Sequence, residues 1–313
     1  MNNLAPVALF VYDRPSHTKQ TLEAISANFF ADQTSLYVFI DGPKSNADPS
    51  TIERIKETKE IVKSSNWCND LIVIERDSNL GLANSIISGV SELVNKFGSI
   101  IVLEDDLVTS KYFLTFMNQA LKMYVSDNRV ACISGYIYPV DGVLPDTFFL
   151  KGADCWGWAT WKRAWDNFEQ DGTILTKQLI DRKLIKEFDF DNSFPYFQML
   201  KDQISSKNNS WAIRWYASTF LKGQLCLYPG KSLIKNIGLD GSGTHSGTGL
   251  DFMNINSFSE NYNLVLNKTS IEEDKFTKAL FIRYFIDNFK KDKSKFMHKI
   301  KQIIFKVLNQ FKA

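Results

Sequence analysis

Over the first 135 residues, short apolar runs alternate with longer amphipathic stretches, and few folds accept that rhythm. Ala5–Val11, Ser35–Ile40, Leu71–Glu75 and Ser99–Leu103 read as buried strands, with Arg129–Ser134 as a fifth. Between them, Ser16–Phe29, Ser50–Ser64, Leu82–Phe97 and Ser110–Tyr124 carry helical periodicity; in the third, Ile86, Ile87, Val90, Leu93 and Val94 make one apolar face. Strand and helix in strict alternation predict an α/β fold with a mostly parallel central sheet covered by helices on both faces. Such sheets bind ligands at the carboxyl ends of their strands, so the residues that follow each strand carry the information.

Those residues are Tyr12-Asp13-Arg14-Pro15, Asp41-Gly42-Pro43, Arg76-Asp77-Ser78-Asn79 and Glu104-Asp105-Asp106. No strand is followed by GxGxxG or GxxxxGK[ST], which argues against a dinucleotide-binding enzyme and a P-loop nucleotidase. Three acids in a row after an apolar strand repel one another unless a cation compensates them. Hard oxygen ligands of this kind suit Mn²⁺ or Mg²⁺, with phosphates completing the shell. The competing reading is an acidic start to the next helix, where the helix dipole favours anions. Asp41 has its own plain alternative, an Asp-Gly turn, and Arg14 a surface ion pair.

The strand followed by Glu104-Asp105-Asp106 resembles the metal-binding element of GT-A glycosyltransferases, above all the "EDD" of the N-acetylglucosaminyltransferase I type and of bacterial family 2-like enzymes. Other segments agree in order over roughly residues 5–250. Val11 to Pro15 resembles the opening strand and turn, Phe39-Ile40-Asp41-Gly42 the strand whose Asp reads the nucleobase, and Asn79 to Ala83 the helix start that faces the diphosphate. Gly157-Trp158 resembles the acceptor-side segment, and Pro229 through His245 the loop that closes over the donor. The resemblance implies a GT-A (Rossmann-like) fold in which Asp106 is the direct metal ligand, joined by His245. Glu104 and Asp105 would contact sugar and ribose, Asp41 the base, and Tyr12, Arg14 and Asn79 the rest of the donor. Metal and diphosphate together imply a nucleotide-diphosphate sugar as donor and transfer, with inversion, to a glycan or lipid-linked glycan.

One departure from that pattern is chemical. The family places its general base in a Trp-Asp-Asp-Trp segment, and here the matching place reads Trp211-Ala212-Ile213-Arg214-Trp215, with no carboxylate. An inverting transfer needs a base for the acceptor hydroxyl proton. Asp154, beside a tryptophan cluster, and Asp240, in a glycine-rich loop, are the candidates, Asp154 the preferred one. Arg214 is assigned to the donor diphosphate or an anionic acceptor. Four tryptophans fall within Trp156–Trp165. Trp158, Trp161 and Trp165 at i, i+3 and i+7 predict a single helix face, while Trp156 and Trp158, flanking Gly157, are candidates for stacking on an acceptor sugar. Gly238, Gly241, Gly243, Gly247 and Gly249 give the loop around His245 the freedom of a lid.

Charge separates the two ends of the chain. Residues 275–313 hold ten lysines and Arg283 against Asp287 and Asp292, a net +9, which leaves residues 1–274 at −7. An acidic body does not suit a nucleic-acid enzyme. Phe296, Ile300, Ile303, Ile304, Val307, Leu308 and Phe311, interleaved with lysines, predict a basic amphipathic C-terminal helix for an anionic membrane surface, or for the acidic body itself. The expected organisation is a catalytic domain over residues 1–270, with 1–107 serving the nucleotide sugar and 108–270 the acceptor, and a tail over 271–313. Four scattered cysteines without CxxC spacing, and no basic leader ahead of Pro6, lead to the expectation of a cytoplasmic enzyme on the inner face of the membrane, in bacterial surface polysaccharide assembly. A sugar nucleotidyltransferase and a GT-A-shaped scaffold without catalysis are the alternatives.

Overall fold

A computed structural model describes residues 4–240 and 258–288 of the chain. Its first half is the expected alternation: β1 (Val7–Val11), α1 (Pro15–Ser26), β2 (Ser35–Ile40), α2 (Pro49–Lys63), β3 (Asp70–Glu75), α3 (Leu82–Phe97) and β4 (Ser99–Glu104). Every residue of β1 is buried, which is why the run reads as uninterruptedly apolar. Asp48 starts α2 by accepting from the Thr51 amide at 2.8 Å, and a left-handed Gly98 (φ 80°) ends α3 and turns the chain straight into β4.

The second half supplies β5 (Leu107–Thr109), α4 (Phe113–Met123), β6 (Val130–Ser134), β7 (Thr147–Leu150), β8 (Trp158–Trp161), α5 (Lys162–Trp165), α6 (Gly172–Asp181), α7 (Ile185–Phe188), α8 (Tyr196–Ile204), α9 (Trp211–Leu221), β9 (Leu225–Pro229) and β10 (Ile234–Asn236). Eight strands form one sheet in the order β3-β2-β1-β4-β8-β6-β9-β7. The pairs among β1 to β4 are parallel, as is β6 with β9; β8 runs antiparallel to both of its neighbours, and β7 antiparallel to β9. This mixed, mostly parallel and helix-flanked sheet is consistent with a Rossmann-like GT-A fold. β4 lies in its middle, so the acids that follow it emerge at the centre of the strand ends.

The tryptophan segment departs from expectation. Trp158–Trp161 is not helical but a buried strand, held by β4 (Val102 opposite Trp158) and by β6 (Ser134 opposite Trp158). A strand alternates its faces, so Trp158 and Trp161 point to opposite sides of the sheet. Trp161 donates its indole N–H to Leu121 O on the α4 side, and the Arg163 guanidinium lies 4.2 Å over its ring. Trp158 packs on the other side against Trp211, Trp165 and Trp215, at centroid distances of 5.4 to 5.9 Å. Only 1% exposed, it has no face to offer an acceptor, and its expected sugar-stacking role is corrected to core packing.

A further helix, α10 (275–288), covers the far end of the sheet. Phe281 and Phe285, one turn apart, are buried among Tyr138, Phe148 and Phe194. Asp274 donates its amide to Phe149 O at 2.8 Å, and Glu273 accepts from the Lys151 amide and pairs with Lys278. The start of the basic tail is therefore packed on the body, with Phe276 and Arg283 facing outward. The apolar positions from Phe296 onward lie outside the described residues. No helix among those described is long and apolar enough to cross a membrane.

Candidate functional site

The three acids after β4 meet the first turn of α1. Only Tyr12, Asp13 and Arg14 connect β1 to α1, which delivers Arg14 directly to the neighbouring strand's end. Its guanidinium pairs with Asp105 through Nη2, with Nε 3.4 Å from the other carboxylate oxygen, and Nη2 also donates to Asp106 Oδ2 at 2.8 Å. Two helical turns further, Thr21 Oγ1 donates to the Asp105 carbonyl at 2.8 Å and fixes the main chain between the two side chains.

The remaining wall comes from the short ribbon formed by β5 and β10, in which the Ile237 amide donates to the Asp106 carbonyl at 2.9 Å. Gly238 follows, with its amide held by Asn236 Oδ1 at 2.7 Å. A Cβ at this glycine would overlap Asp106 Oδ2 and come within 2.9 Å of Arg14 Nη1. Two residues later Asp240 faces His17 of α1, Oδ2 to Nε2 at 3.1 Å. β1, β4 and β10 thus bring Arg14, His17, Asp105, Asp106 and Asp240 together from distant segments of the chain.

The electrostatics follow from this crowding. Burial, with Asp106 and Asp105 beside it, pushes the Glu104 carboxyl up to about 8, and no hydrogen bond or ion pair among the described residues engages that side chain. Burial raises Asp105 as well, against the pull of Arg14. Burial also works against the Arg14 charge, but the two aspartates outweigh it and hold the guanidinium above its ordinary value. Among the described residues no three His, Cys, Asp or Glu side chains form a self-sufficient metal cage. Mg²⁺ and Mn²⁺ do not require one, since one or two carboxylates and substrate phosphates can hold them. An unengaged carboxyl beside two aspartates that share a single arginine fits that use.

The other residues that the sequence resemblance assigns to a donor lie along the same edge. Asp41, buried, accepts from the Leu80 amide at 3.0 and 3.1 Å and from the Gly81 amide at 3.0 Å, while Asn79 Nδ2 donates to Gly42 O at 3.0 Å. Gly42 packs so tightly that a Cβ would fall 2.6 Å from Arg76 O and Ser78 N. Asp41 therefore holds, from 39 and 40 residues away, the turn that leads into α3. Tyr12 lies close enough to Asp41 for the carboxylate to add to the rise that burial gives its hydroxyl.

Three sequence-chosen residues stand apart. Arg214 is buried at the start of α9, where Nε donates to Ser210 O and Nη1 to Gln170 O, both at 3.2 Å. Burial lowers its pKa with no carboxylate contributing, so it is not gathered with the acids. Asp154 accepts from Tyr138 at 2.6 Å and from Tyr228 at 2.7 Å inside a cluster of buried tyrosines, and burial raises its carboxyl. Trp156, half-buried, packs edge-on against Tyr136 at 4.6 Å. His245 lies outside the described residues. His17 was not singled out by sequence; its position one turn after Arg14 was the available signal.

No family model matches the chain, and no curated relative matches it. Among solved structures it is similar to a mannosyltransferase from Pyrobaculum calidifontis in complex with GDP-Man and Mn²⁺. The TM-score is 0.34 and the identity 11%, over 70% of this chain and 71% of that one. It is similar also to a UDP-glucose pyrophosphorylase complexed with UDP-glucose, with a TM-score of 0.32 and 11% identity over 72% of this chain and 90% of that one. Likeness at this level assigns no activity and no residue.

Proposed function

We propose that the chain is a metal-dependent glycosyltransferase that moves a sugar from a nucleotide-diphosphate sugar to a hydroxyl of a glycan or lipid-linked glycan. The observation that carries this reading is the acid cluster at the centre of the strand ends, walled by α1 on one side and by the β10 exit on the other. Asp106, with Glu104 and Asp105 beside it, would hold Mn²⁺ or Mg²⁺; such an ion neutralises a departing diphosphate as a Lewis acid. Arg14 and Tyr12 line the donor side, and Asp41 and Asn79 fix the turn before α3. A general base must be reachable by the acceptor. Asp240, with its side chain 49% exposed and two residues from Gly238, meets that requirement better than Asp154, whose two oxygens already accept from tyrosines. The stretch 289–313 is the candidate for contact with an anionic membrane.

A nucleotidyltransferase has to wrap a triphosphate after its first strand. Here β1 passes into α1 through Tyr12, Asp13 and Arg14 alone, with Pro15 already in the first turn, which favours transfer over nucleotidyl chemistry. The test is release of nucleoside diphosphate from a panel of nucleotide sugars, with Mn²⁺ and with chelator. Metal-dependent release from one donor is expected. Pyrophosphate release from a nucleoside triphosphate and a sugar 1-phosphate would instead establish the nucleotidyltransferase, and binding without any turnover the scaffold.

Gly238→Ala separates site geometry from stability. The new methyl meets the end of the Asp106 side chain and not main chain, so the carboxylate moves and the fold stays. Turnover should fall by about 10²-fold, the cost of misplacing a group by an ångström, while the melting midpoint stays close to that of the parent.

A further inference from the structure

Arg14 already occupies the place of a counter-ion. Its Nη2 is shared between Asp105 and Asp106, and the oxygen it takes from Asp106 is the same Oδ2 against which Gly238 packs. The guanidinium is not a loose surface group. Its side chain is 20% exposed, its partners are 7% and 15% exposed, and it stands at the start of a helix whose second turn is tied to the Asp105 carbonyl. A divalent ion arriving at Asp106 must compete for an oxygen that has a donor, and it does so beside a fixed positive charge with little water to screen the repulsion.

From this geometry we infer that Arg14 serves the acids as their own cation and that it makes metal binding depend on the donor. The inference rests on Asp106 being the metal ligand. Metal alone meets Arg14 at the carboxylate it needs. A nucleoside diphosphate brings phosphate oxygens that accept from Arg14 and ligate the ion at once, so Arg14 can leave Asp106 without losing its hydrogen bonds. Each ligand then raises the affinity of the other by the same factor. The arrangement keeps a bare ion from settling in a site that has no donor to act on.

The experiment is Mn²⁺ binding by the full chain, followed by the electron paramagnetic resonance signal of free Mn²⁺, with the metal alone and with added UDP or GDP. Wild type, Arg14→Gln, Arg14→Lys, Asp106→Asn and the Arg14→Gln/Asp106→Asn double variant are compared. Arg14→Gln should bind Mn²⁺ alone about tenfold more tightly than wild type and show a correspondingly smaller gain on adding nucleotide. Arg14→Lys, which keeps the charge, should stay near wild type, and the double variant should lose the gain. Added Mn²⁺ should also raise the melting midpoint of Arg14→Gln more than that of wild type, a readout that needs no turnover. Wild-type Mn²⁺ affinity in a folded Arg14→Gln protein, or a gain that survives Asp106→Asn, overturns the inference. The two readings fail differently. If nucleotide-dependent Mn²⁺ binding by wild type survives Asp106→Asn, the ligand assignment falls and the inference with it. If Asp106→Asn abolishes that binding while Arg14→Gln gains nothing, only the counter-ion role falls.

Discussion

Asp106→Asn should yield a folded protein whose metal-dependent turnover is lower by at least about 10²–10³-fold, the loss expected when an electrostatic stabiliser of a leaving group is removed. The fold should survive because Asp106 contributes little to it beyond its main chain. The Ile237 amide bonds to its carbonyl, which asparagine retains, and its side chain makes one hydrogen bond, from Arg14 at 2.8 Å, which an amide oxygen can also accept. Asp105→Asn should differ in losing stability as well. Asp105 is the more buried carboxylate and the main partner of Arg14, and removing one member of a buried pair costs about 3 kcal/mol or more. Thermal melts and nucleoside-diphosphate release should therefore separate the two variants, with turnover lost in both and stability lost only in Asp105→Asn. An Asp106→Asn protein that kept wild-type turnover would remove Asp106 from the metal and the proposed chemistry with it.

What the sequence made legible depended on how far apart the interacting residues are. β2 and α3 have the bounds that their apolar periodicity predicts, Ser35–Ile40 and Leu82–Phe97, because each is a long pattern closed by residues with conformational meaning, such as Gly98. The acid trio was visible because its members are consecutive. The partner that organises it was visible only as a residue type, since Arg14 lies 91 positions from Asp105 and nothing in a single chain pairs them. Asp154 illustrates the same limit from the other side. An acid beside tryptophans looks like a base, but the hydroxyls that engage it belong to Tyr138 and Tyr228, the second 74 residues away. Trp158 misled by coincidence of period. Four residues in a strand have no room to show alternation, and Trp158, Trp161 and Trp165 fell on helical spacing although the first two lie in β8, where β4 and β6 supply the hydrogen bonds that decide the conformation.

That same residue carries the largest stability prediction. Trp158→Ala should destabilise the protein by about 3–5 kcal/mol, the range for deleting a large aromatic from a packed core. The ring fills the space between the central strands and α9, in contact with Trp165, Trp211 and Trp215. Trp158→Phe should cost much less, about 1 kcal/mol, because it shrinks the ring without emptying the site. It also removes an indole N–H that is buried without a hydrogen-bond partner among the described residues. The pair of variants tests core packing against the sugar-stacking role read from the sequence. A core residue loses stability in step with volume, and Trp158→Phe keeps acceptor saturation unchanged. A stacking residue would raise the acceptor KM in both variants at constant melting midpoint. Trp156, half-buried and edge-on to Tyr136, is the neighbour at which such a KM effect is expected instead.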